Sequence, residues 1–334
     1  DIHIEPWEST LPIRLRISGT LRELTHLPYE FLDRIAGRFK VMADLVTYET
    51  ELPQEGRVPA SAEFGNVELR VSIFPTVRGE KIVIRLFDPQ NQSFNLETLG
   101  FEADTIERFK KLIRQPSGLI LLNGPTGSGK TTAIYSALCH LVDTHGPTIS
   151  ISTVEDPVEF NLPMISQSQI SNSRGFTYPK ALRSLMRQDP EAIMIGEIRD
   201  AETAAIAVQA GLTGHMIFST IHSDSTAGVY ARLTNMDIEP FLLASSITGV
   251  LGLRLLRTIC PSCKIQTQPN PEYLSLLPDG FAEENEFYTG TGCDSCSQTG
   301  YLGRVAATEL LDSSEAVREG VIQKLRTSKL HDIA

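Results

Sequence analysis

The chain has 334 residues, of which 41% are hydrophobic, and this is enough for two domains that each bury a core. Its 21% charged residues, 24 glycines and 19 prolines are ordinary for a globular protein and exclude a collagen-like or largely disordered chain. A formal net charge of −11 disfavours a protein whose main surface binds nucleic acid phosphates. The best apolar span, 247–256, contains Arg254 and is shorter than the ~18 residues of a transmembrane helix, so we predict no transmembrane segment.

The first residues of the chain indicate whether it is part of a longer protein, and its cysteines indicate its cellular compartment. Residues 1–5 include no initiator Met, basic region or apolar signal core, so the sequence is expected to be part of a longer protein. Four of the five cysteines form two Cys-x-x-Cys pairs, and Cys139 lies alone in a predicted helix. This odd count favours a metal site in a reducing compartment over a disulfide framework, and we therefore predict a cytoplasmic location.

The N-terminal part shows a mixed pattern of strands and one helix. Alternating residues predict a hairpin and two later strands, and apolar residues three and four apart predict the helix between them. The predicted elements are strands 13–17 and 21–24, a helix spanning Phe31 to Leu45, and strands 67–73 and 81–86. The polar segment Asp88–Asn95 lacks periodicity and is the best linker candidate after this small α+β unit.

After this segment, strands and helices alternate. The pattern predicts strands at 119–123, 148–154, 192–195 and 216–221, and helices at 130–142, 180–187 and 200–210. This order is typical of crossover connections on a largely parallel sheet. Because ligands bind beyond the carboxyl ends of such strands, we expect the chemistry to lie in the polar residues that follow each strand.

The strongest motif is a phosphate-binding loop, since Gly124-Pro125-Thr126-Gly127-Ser128-Gly129-Lys130-Thr131 fits G-x-x-x-x-G-K-[ST] between a strand and a helix. Glycines let backbone N–H groups close around phosphates, and the helix N-terminus favours the anion. We expect Lys130 to reach the β and γ phosphates of ATP and Thr131 to bind Mg²⁺, with Thr132 next to them. The alternative is a glycine-rich turn that binds no nucleotide.

Carboxylates follow two of the predicted strands. Strand 193–195 leads to Gly196 and Glu197, and Gly196 stands where many such sites have an Asp that holds the metal through water. Another strand leads to Glu155 and Glu159, which can polarise water or bind metal at the same edge. A solvated acidic turn is the alternative for this second segment.

Two histidines flank the strand 216–221. His215 precedes it and His222 follows it, so only His222 lies at the end where ligands bind. We expect His222 to sense the γ phosphate by hydrogen bonding, and a structural role remains open for His215.

The four paired cysteines, Cys260, Cys263, Cys293 and Cys296, have the pattern of a closed tetrahedral zinc site. Residues 264–292 separate the pairs, which is longer than the usual compact spacing, and two redox pairs or metal-free thiols remain alternatives. Such a zinc site would be structural because it has no position for water.

Arg70 and Arg85 lie on the last two strands of the N-terminal unit. Their guanidinium groups suit phosphate if this unit closes over a nucleotide, and solvated strand arginines are the alternative.

Taken together, the motifs resemble the secretion ATPase superfamily, in particular type II secretion ATPases and type IV pilus assembly (extension) ATPases. The resemblance covers nearly the whole chain, and its four cysteines favour this branch over pilus retraction motors. Besides the phosphate loop and the cysteines, the matching segments are Asp1–Pro6, Leu52–Arg57, Arg70–Ser72, Gly79–Glu80, Glu155–Glu159, Arg187–Pro190, Gly196–Asp200 and Leu212–His222.

This resemblance implies an α/β fold with a RecA-like ATPase domain and a smaller N-terminal α+β, PAS-like domain. The corresponding boundaries are an N-terminal domain at 1–93, a linker at 94–101 and an ATPase domain at 102–334 that includes a tetracysteine zinc subdomain at 258–303. It further implies that Glu197, Glu155 and Glu159 act in hydrolysis or position metal and water.

The same resemblance implies a homo-hexamer that hydrolyses ATP to assemble pilin or pseudopilin subunits. Its partners would be an inner-membrane platform protein and a cytoplasmic adaptor, with the motor held peripherally at the inner membrane. ATP would lie between the two domains, where Arg70 and Arg85 contact its phosphates. Two other classes stay open: a RecA-like nucleic acid translocase, which the acidic balance disfavours, and a scaffold that binds ATP without turnover.

Overall fold

The computed structural model describes residues 1–17, 19–87, 94–278 and 280–334. The chain divides into two compact units, one formed by Asp1–Ser93 with Ile259–Leu302 and the other by Phe94–Thr258 with Gly303–Ala334. Residues 88–93, which make up most of the polar segment 88–95, lie outside the described residues. The cysteine segment groups with the first unit, and residues 94–101 group with the second, where Leu96 and Phe101 are buried.

The N-terminal part of the first unit is an antiparallel sheet with one helix. Its elements are β1 (Ile2–Ile4), β2 (Thr10–Ile17), β3 (Thr20–Pro28), α1 (Leu32–Met42), β4 (Gln54–Ser61), β5 (Val67–Thr76) and β6 (Gly79–Phe87). Within the described residues this sheet has the order β3-β2-β1-β6-β5-β4. The predicted hairpin, helix and two strands are confirmed, whereas β1 and β4 have no clear alternating pattern and were not predicted. Alternate residues of β5 and β6, such as Val71 and Ile84, pack with Leu32 in the core.

The second unit has the alternating order that the sequence predicts. Its first elements are α2 (Ala103–Ile113), β7 (Gly118–Asn123), α3 (Lys130–His145), β8 (Ile151–Glu155), β9 (Ser166–Gln169), α4 (Tyr178–Leu185), β10 (Ala192–Ile195), α5 (Ala201–Leu212), β11 (Met216–Ile221), α6 (Gly228–Thr234), α7 (Pro240–Ser246) and β12 (Ile247–Ile259). The predicted strands and helices of this region are confirmed, with ends shifted by a few residues.

The cysteine segment follows β12 and leads to the last elements of the chain. These elements are β13 (Lys264–Gln266), α8 (Pro271–Leu274), α9 (Phe281–Glu284), β14 (Tyr288–Gly290), β15 (Tyr301–Asp312), α10 (Glu315–Ile322) and α11 (Thr327–Asp332). Strands β13 and β14 pair antiparallel with each other. None of the helices in the described ranges has the length and apolar character needed to cross a membrane.

The sheet of the second unit has the order β15-β12-β7-β11-β10-β8-β9 in the described part of the chain. Strands β12, β7, β11, β10, β8 and β9 pair in parallel. Along β7, Leu119 and Leu121 face one hydrophobic core, while Ile120 and Leu122 face the other. A strand buried on both faces is a continuous apolar run, which explains why the sequence lacks alternation here.

Candidate functional site: the carboxyl edge of the parallel sheet

Four neighbouring parallel strands bring the candidate residues of the second unit to one edge of the sheet. Gly124 follows β7, His222 follows β11, Gly196 follows β10, and Glu155 is the last residue of β8. Ile221 pairs with Asn123 at this edge, which places His222 beside the start of the phosphate loop. The edge therefore collects residues that are far apart in the chain.

The phosphate loop connects β7 to α3 through glycines that other residues would strain. Gly124, Gly127 and Gly129 have φ values of 149°, 74° and 93°. A Cβ atom on Gly124 would lie 2.4 Å from the carbonyl oxygen of Leu253. The loop thus has the backbone freedom and close packing that a phosphate cradle needs.

Lys130 is the first residue of α3, and its side chain turns back into the loop. Its Nζ atom donates hydrogen bonds to the carbonyl oxygens of Gly124 at 2.8 Å and Pro125 at 2.9 Å. Burial lowers the pKa of Lys130, and the negative charge of Glu197 opposes this shift. A cation and a helix N-terminus consequently meet where the motif places phosphates.

The side chains of Thr131 and Glu159 lie close together beside the loop and can supply oxygen ligands. The hydroxyl of Thr131 donates to Oε1 of Glu159 across 3.4 Å. A hydroxyl and a carboxylate are oxygen ligands that suit Mg²⁺, which binds through few protein groups and keeps several waters. The oxygen atoms of Thr131 and Glu159, two residues predicted from the sequence, therefore fit Mg²⁺.

Glu155 lies deeper, with 2% of its surface exposed. Its carboxylate accepts hydrogen bonds from the hydroxyls of Tyr135 and Thr153 and from Nε2 of Gln167, the last at 3.1 Å. Burial raises the pKa of Tyr135, and Glu155 raises it further, so the phenol remains a donor. Protein groups thus surround this carboxylate.

Glu197 has a more open position, with 18% of its side chain exposed. Arg199 donates a hydrogen bond to its Oε1 atom. The backbone N–H of Gly196 donates to the carbonyl oxygen of Val154 at 2.8 Å, which continues the pairing of β10 with β8. The structure therefore holds Glu197 two residues beyond the end of β10, within electrostatic reach of Lys130.

A cleft of about 580 Å³ opens beside the phosphate loop. His222 is exposed and lines it together with Gly124 and Pro125. Arg254 also lines this cleft and a neighbouring cavity of about 230 Å³. His215 lies before β11, and its Nδ1 is 3.2 Å from the carbonyl oxygen of Ala210. The two histidines are thus at opposite ends of one strand.

Three residues at this edge were not predicted from the sequence: Tyr135, Gln167 and Tyr178. No spacing motif marks them, and β9, which carries Gln167, is a polar strand without alternating hydrophobicity. The available signal was Tyr135, because a tyrosine inside an otherwise apolar helix usually needs a partner for its hydroxyl.

Arg70 and Arg85 lie opposite each other on β5 and β6 in the first unit. The Arg70 guanidinium lies over the ring of Phe87, 4.0 Å from its centroid. Arg85 forms an ion pair with Asp1 at 3.4 Å. Their predicted contact with phosphates remains a prediction.

The four paired cysteines come together, with all sulfur atoms within 4.8 Å of one another. The Sγ atoms of Cys260 and Cys293 are 3.9 Å apart, and those of Cys263 and Cys296 are also 3.9 Å apart. Sulfurs at the corners of a tetrahedral zinc site are about 3.8 Å apart, given Zn–S bonds of ~2.3 Å. The cluster therefore has the dimensions of a closed tetrathiolate site.

The four thiols of this cluster do not ionise alike. Burial opposes the ionisation of Cys296, but hydrogen bonds from the N–H groups of Cys293 and Gly300, each 3.2 Å from its sulfur, and from the side chains of Thr299 and Cys293 lower its pKa to about 6. Burial raises the pKa of Cys263 to about 11. Metal ligation requires the thiolate form, so this arrangement fits a metal ion.

Comparison with known proteins identifies relatives along the whole chain. The family described as "Type II/IV secretion system protein" matches residues 1–334. The chain is 43% identical over 319 residues to the type II secretion system ATPase E of Vibrio cholerae, covering 96% of this chain and 63% of that protein. It is 41% identical over 336 residues to the type IV pilus assembly ATPase PilB of Thermus thermophilus, covering 100% of this chain and 38% of that protein. The chain thus spans less than two thirds of these two relatives.

Solved structures show the same fold at lower sequence identity. The ATPase DotB of Legionella pneumophila matches with a TM-score of 0.70 at 20% identity, covering 99% of this chain and 81% of that one. The pilus retraction motor PilT with bound ADP matches with a TM-score of 0.64 at 22% identity, covering 99% and 83%. These matches confirm the predicted α/β fold class.

Proposed function

We propose, because the chain belongs to the type II/IV secretion system protein family, that it is the ATP-hydrolysing motor part of a secretion or pilus machine. The names of its relatives, a type II secretion ATPase and a type IV pilus assembly ATPase, support this class of function. The observation that carries the proposal is the phosphate loop with Lys130 at the start of α3, beside carboxylates from two neighbouring strands. In this proposal, the motor uses the energy of ATP hydrolysis to assemble pilin or pseudopilin subunits.

In this proposal the residues of the loop, Gly124 to Thr132, bind the phosphates of ATP. Lys130 leaves its carbonyl partners for the β and γ phosphates. Thr131 and Glu159 are the residues that would hold Mg²⁺, which neutralises phosphate charge. Glu197 accepts a proton from the attacking water, since it is the less buried of the two strand-end carboxylates.

Glu155 and His222 have supporting roles in the same proposal. Glu155 fixes Tyr135 and Gln167 beneath the site through its hydrogen bonds. His222 contacts the γ phosphate from the cleft beside the loop. Loss of that contact on hydrolysis gives two states with different affinities, which is what a motor needs.

Further parts of the proposal rest on the family resemblance. The chain forms a homo-hexamer that works at the inner membrane, on its cytoplasmic side, with a platform protein and an adaptor. Residues 1–93 form a PAS-like domain, 94–101 a linker and 102–334 the ATPase domain. Arg70 and Arg85 contact the phosphates.

The cysteine cluster is proposed to hold one structural zinc ion that crosslinks the segment around β13 and β14. Protein purified without chelator should contain about one zinc per chain, measured by elemental analysis, because four thiolates complete the shell. A matched variant, Cys296→Ser, should lose the metal. A zinc-free wild-type preparation contradicts this assignment.

The experiment that tests the function is Mg²⁺-dependent ATP turnover per chain over a wide range of protein concentration, with and without single-stranded DNA. We expect specific activity to rise with protein concentration, because ring assembly completes the ATPase site. Single-stranded DNA should not change this activity. Activity only with DNA indicates a translocase, and binding without turnover indicates a scaffold. Lys130→Ala is the control for the loop: it should lose ATP binding, and wild-type affinity in this variant contradicts the assignment.

A further inference from the structure

The backbone conformation of Gly196 does not require a glycine. Its φ value lies outside the left-handed region, so a side chain is compatible with its backbone. A Cβ atom built on Gly196 would nevertheless lie 2.7 Å from the hydroxyl oxygen of Tyr178. The next nearest atoms, Cα of Glu155 and the carbonyl oxygen of Val154, are both at 3.4 Å. The phenol of Tyr178 therefore occupies the space that a side chain at position 196 needs.

Tyr178 is the first residue of α4, and its half-buried ring reaches the end of β10. Among the residues that the structure describes, its hydroxyl has no hydrogen-bond partner. Burial raises the pKa of Tyr178, and the nearby carboxylates of Glu197, Asp156 and Glu155 raise it further, whereas Arg199 opposes them. The hydroxyl thus stays protonated as a donor among carboxylates.

We propose that Tyr178 is a positioning residue for ATP hydrolysis, whose hydroxyl fills the place above Gly196 and donates a hydrogen bond to the carboxylate of Glu197. This inference rests on the proposed role of Glu197 as the base. Arg199 donates a hydrogen bond to Oε1 of Glu197, and in the nucleotide-bound state Tyr178, at the start of α4, is the second donor to this carboxylate. The bond forms when nucleotide is bound, since catalytic hydrogen bonds are often long without substrate and tighten in the complex.

A single carboxylate follows β10 in this chain. An Asp at position 196 would collide with the phenol of Tyr178 unless the ring moved, and it would place two carboxylates where they repel each other. A neutral donor orients Glu197 without competing for the proton of the water.

The direct test is Tyr178→Phe in the assembled protein. At saturating MgATP, kcat should fall about 3- to 10-fold, as expected for one hydrogen bond, while KM for ATP and ring assembly stay unchanged. Tyr230→Phe is the matched control, because it removes another hydroxyl of the second unit, one that is 2.8 Å from Ser313 Oγ. That control should leave kcat unchanged. An unchanged kcat for Tyr178→Phe, or a change in KM alone, overturns the proposal.

Two further variants show whether Tyr178 acts through Glu197 and over Gly196. In the Glu197→Gln background, Tyr178→Phe should cause no further loss, and multiplying losses would contradict the proposal. Gly196→Ala should lower kcat in the wild-type chain but not in the Tyr178→Phe chain, where the Cβ atom has room. An equal loss in both backgrounds overturns the steric link.

These measurements separate two kinds of failure. If Glu197→Gln keeps wild-type turnover, the role proposed for Glu197 is wrong, and the inference about Tyr178 is overturned with it. If Glu197→Gln is inactive while Tyr178→Phe is fully active, only the inference about Tyr178 is wrong.

Discussion

The neighbouring strands β8 and β10 both lead into a glutamate, yet the two carboxylates have different surroundings. Glu155 is 2% exposed and accepts hydrogen bonds from three side chains. The side chain of Glu197 is 18% exposed, and its described hydrogen-bond donor is Arg199. A carboxylate whose oxygens are already bound by the protein stabilises the structure, whereas one that keeps a free oxygen can take a proton from water. Strand-end position alone therefore does not assign a chemical role.

The largest expected effect separates the two glutamates by turnover. Glu197→Gln removes the base and keeps the shape, so we expect ATP turnover to fall about 100-fold or more while nucleotide binding is retained. Steady-state hydrolysis and equilibrium binding of a fluorescent ATP analogue measure the two quantities. Turnover that stays near the wild-type rate contradicts the role of Glu197.

A smaller effect separates them by stability. Glu155→Gln replaces one carboxylate oxygen with an NH₂ group in a buried site whose neighbours donate hydrogen bonds, so we expect unfolding free energy to fall by about 1–3 kcal/mol. Glu197→Gln should change it by less, because Glu197 is more exposed. Urea denaturation of the two variants side by side checks this. Equal stabilities remove the distinction between the two strand ends.

The smallest effect concerns the donors around Glu155. Tyr135→Phe removes one of three hydrogen bonds and leaves the packing of a fully buried ring intact, so we expect a loss of about 1 kcal/mol. Thermal unfolding of this variant, compared with Tyr178→Phe, measures it. We expect Tyr135→Phe to change stability and Tyr178→Phe to change kcat, which would support a structural role for Glu155 and a catalytic role for Glu197. The opposite pattern would reverse the roles given to the two strand ends.

Much of the fold of the second unit could be predicted from the sequence, because its strands are apolar runs bounded by turns and its helices are amphipathic. Strand 216–221 is an example with the predicted ends. Strands β1, β4 and β9 were missed because they are short or polar, bury few side chains and become strands through pairing with neighbours. Strands β12 and β15 were also not predicted, although β12 buries its first seven residues.

The candidate site divides in the same way. The phosphate loop and the cysteine pairs are readable from the chain because their chemistry depends on residues a few positions apart, whose backbone and spacing are local. The hydrogen bonds of Gln167 to Glu155 and the approach of Tyr178 to Gly196 depend on which strands lie side by side. Strand order and side-chain packing bring those residues together, so the tertiary structure alone decided which glutamate is enclosed and which side chain approaches position 196.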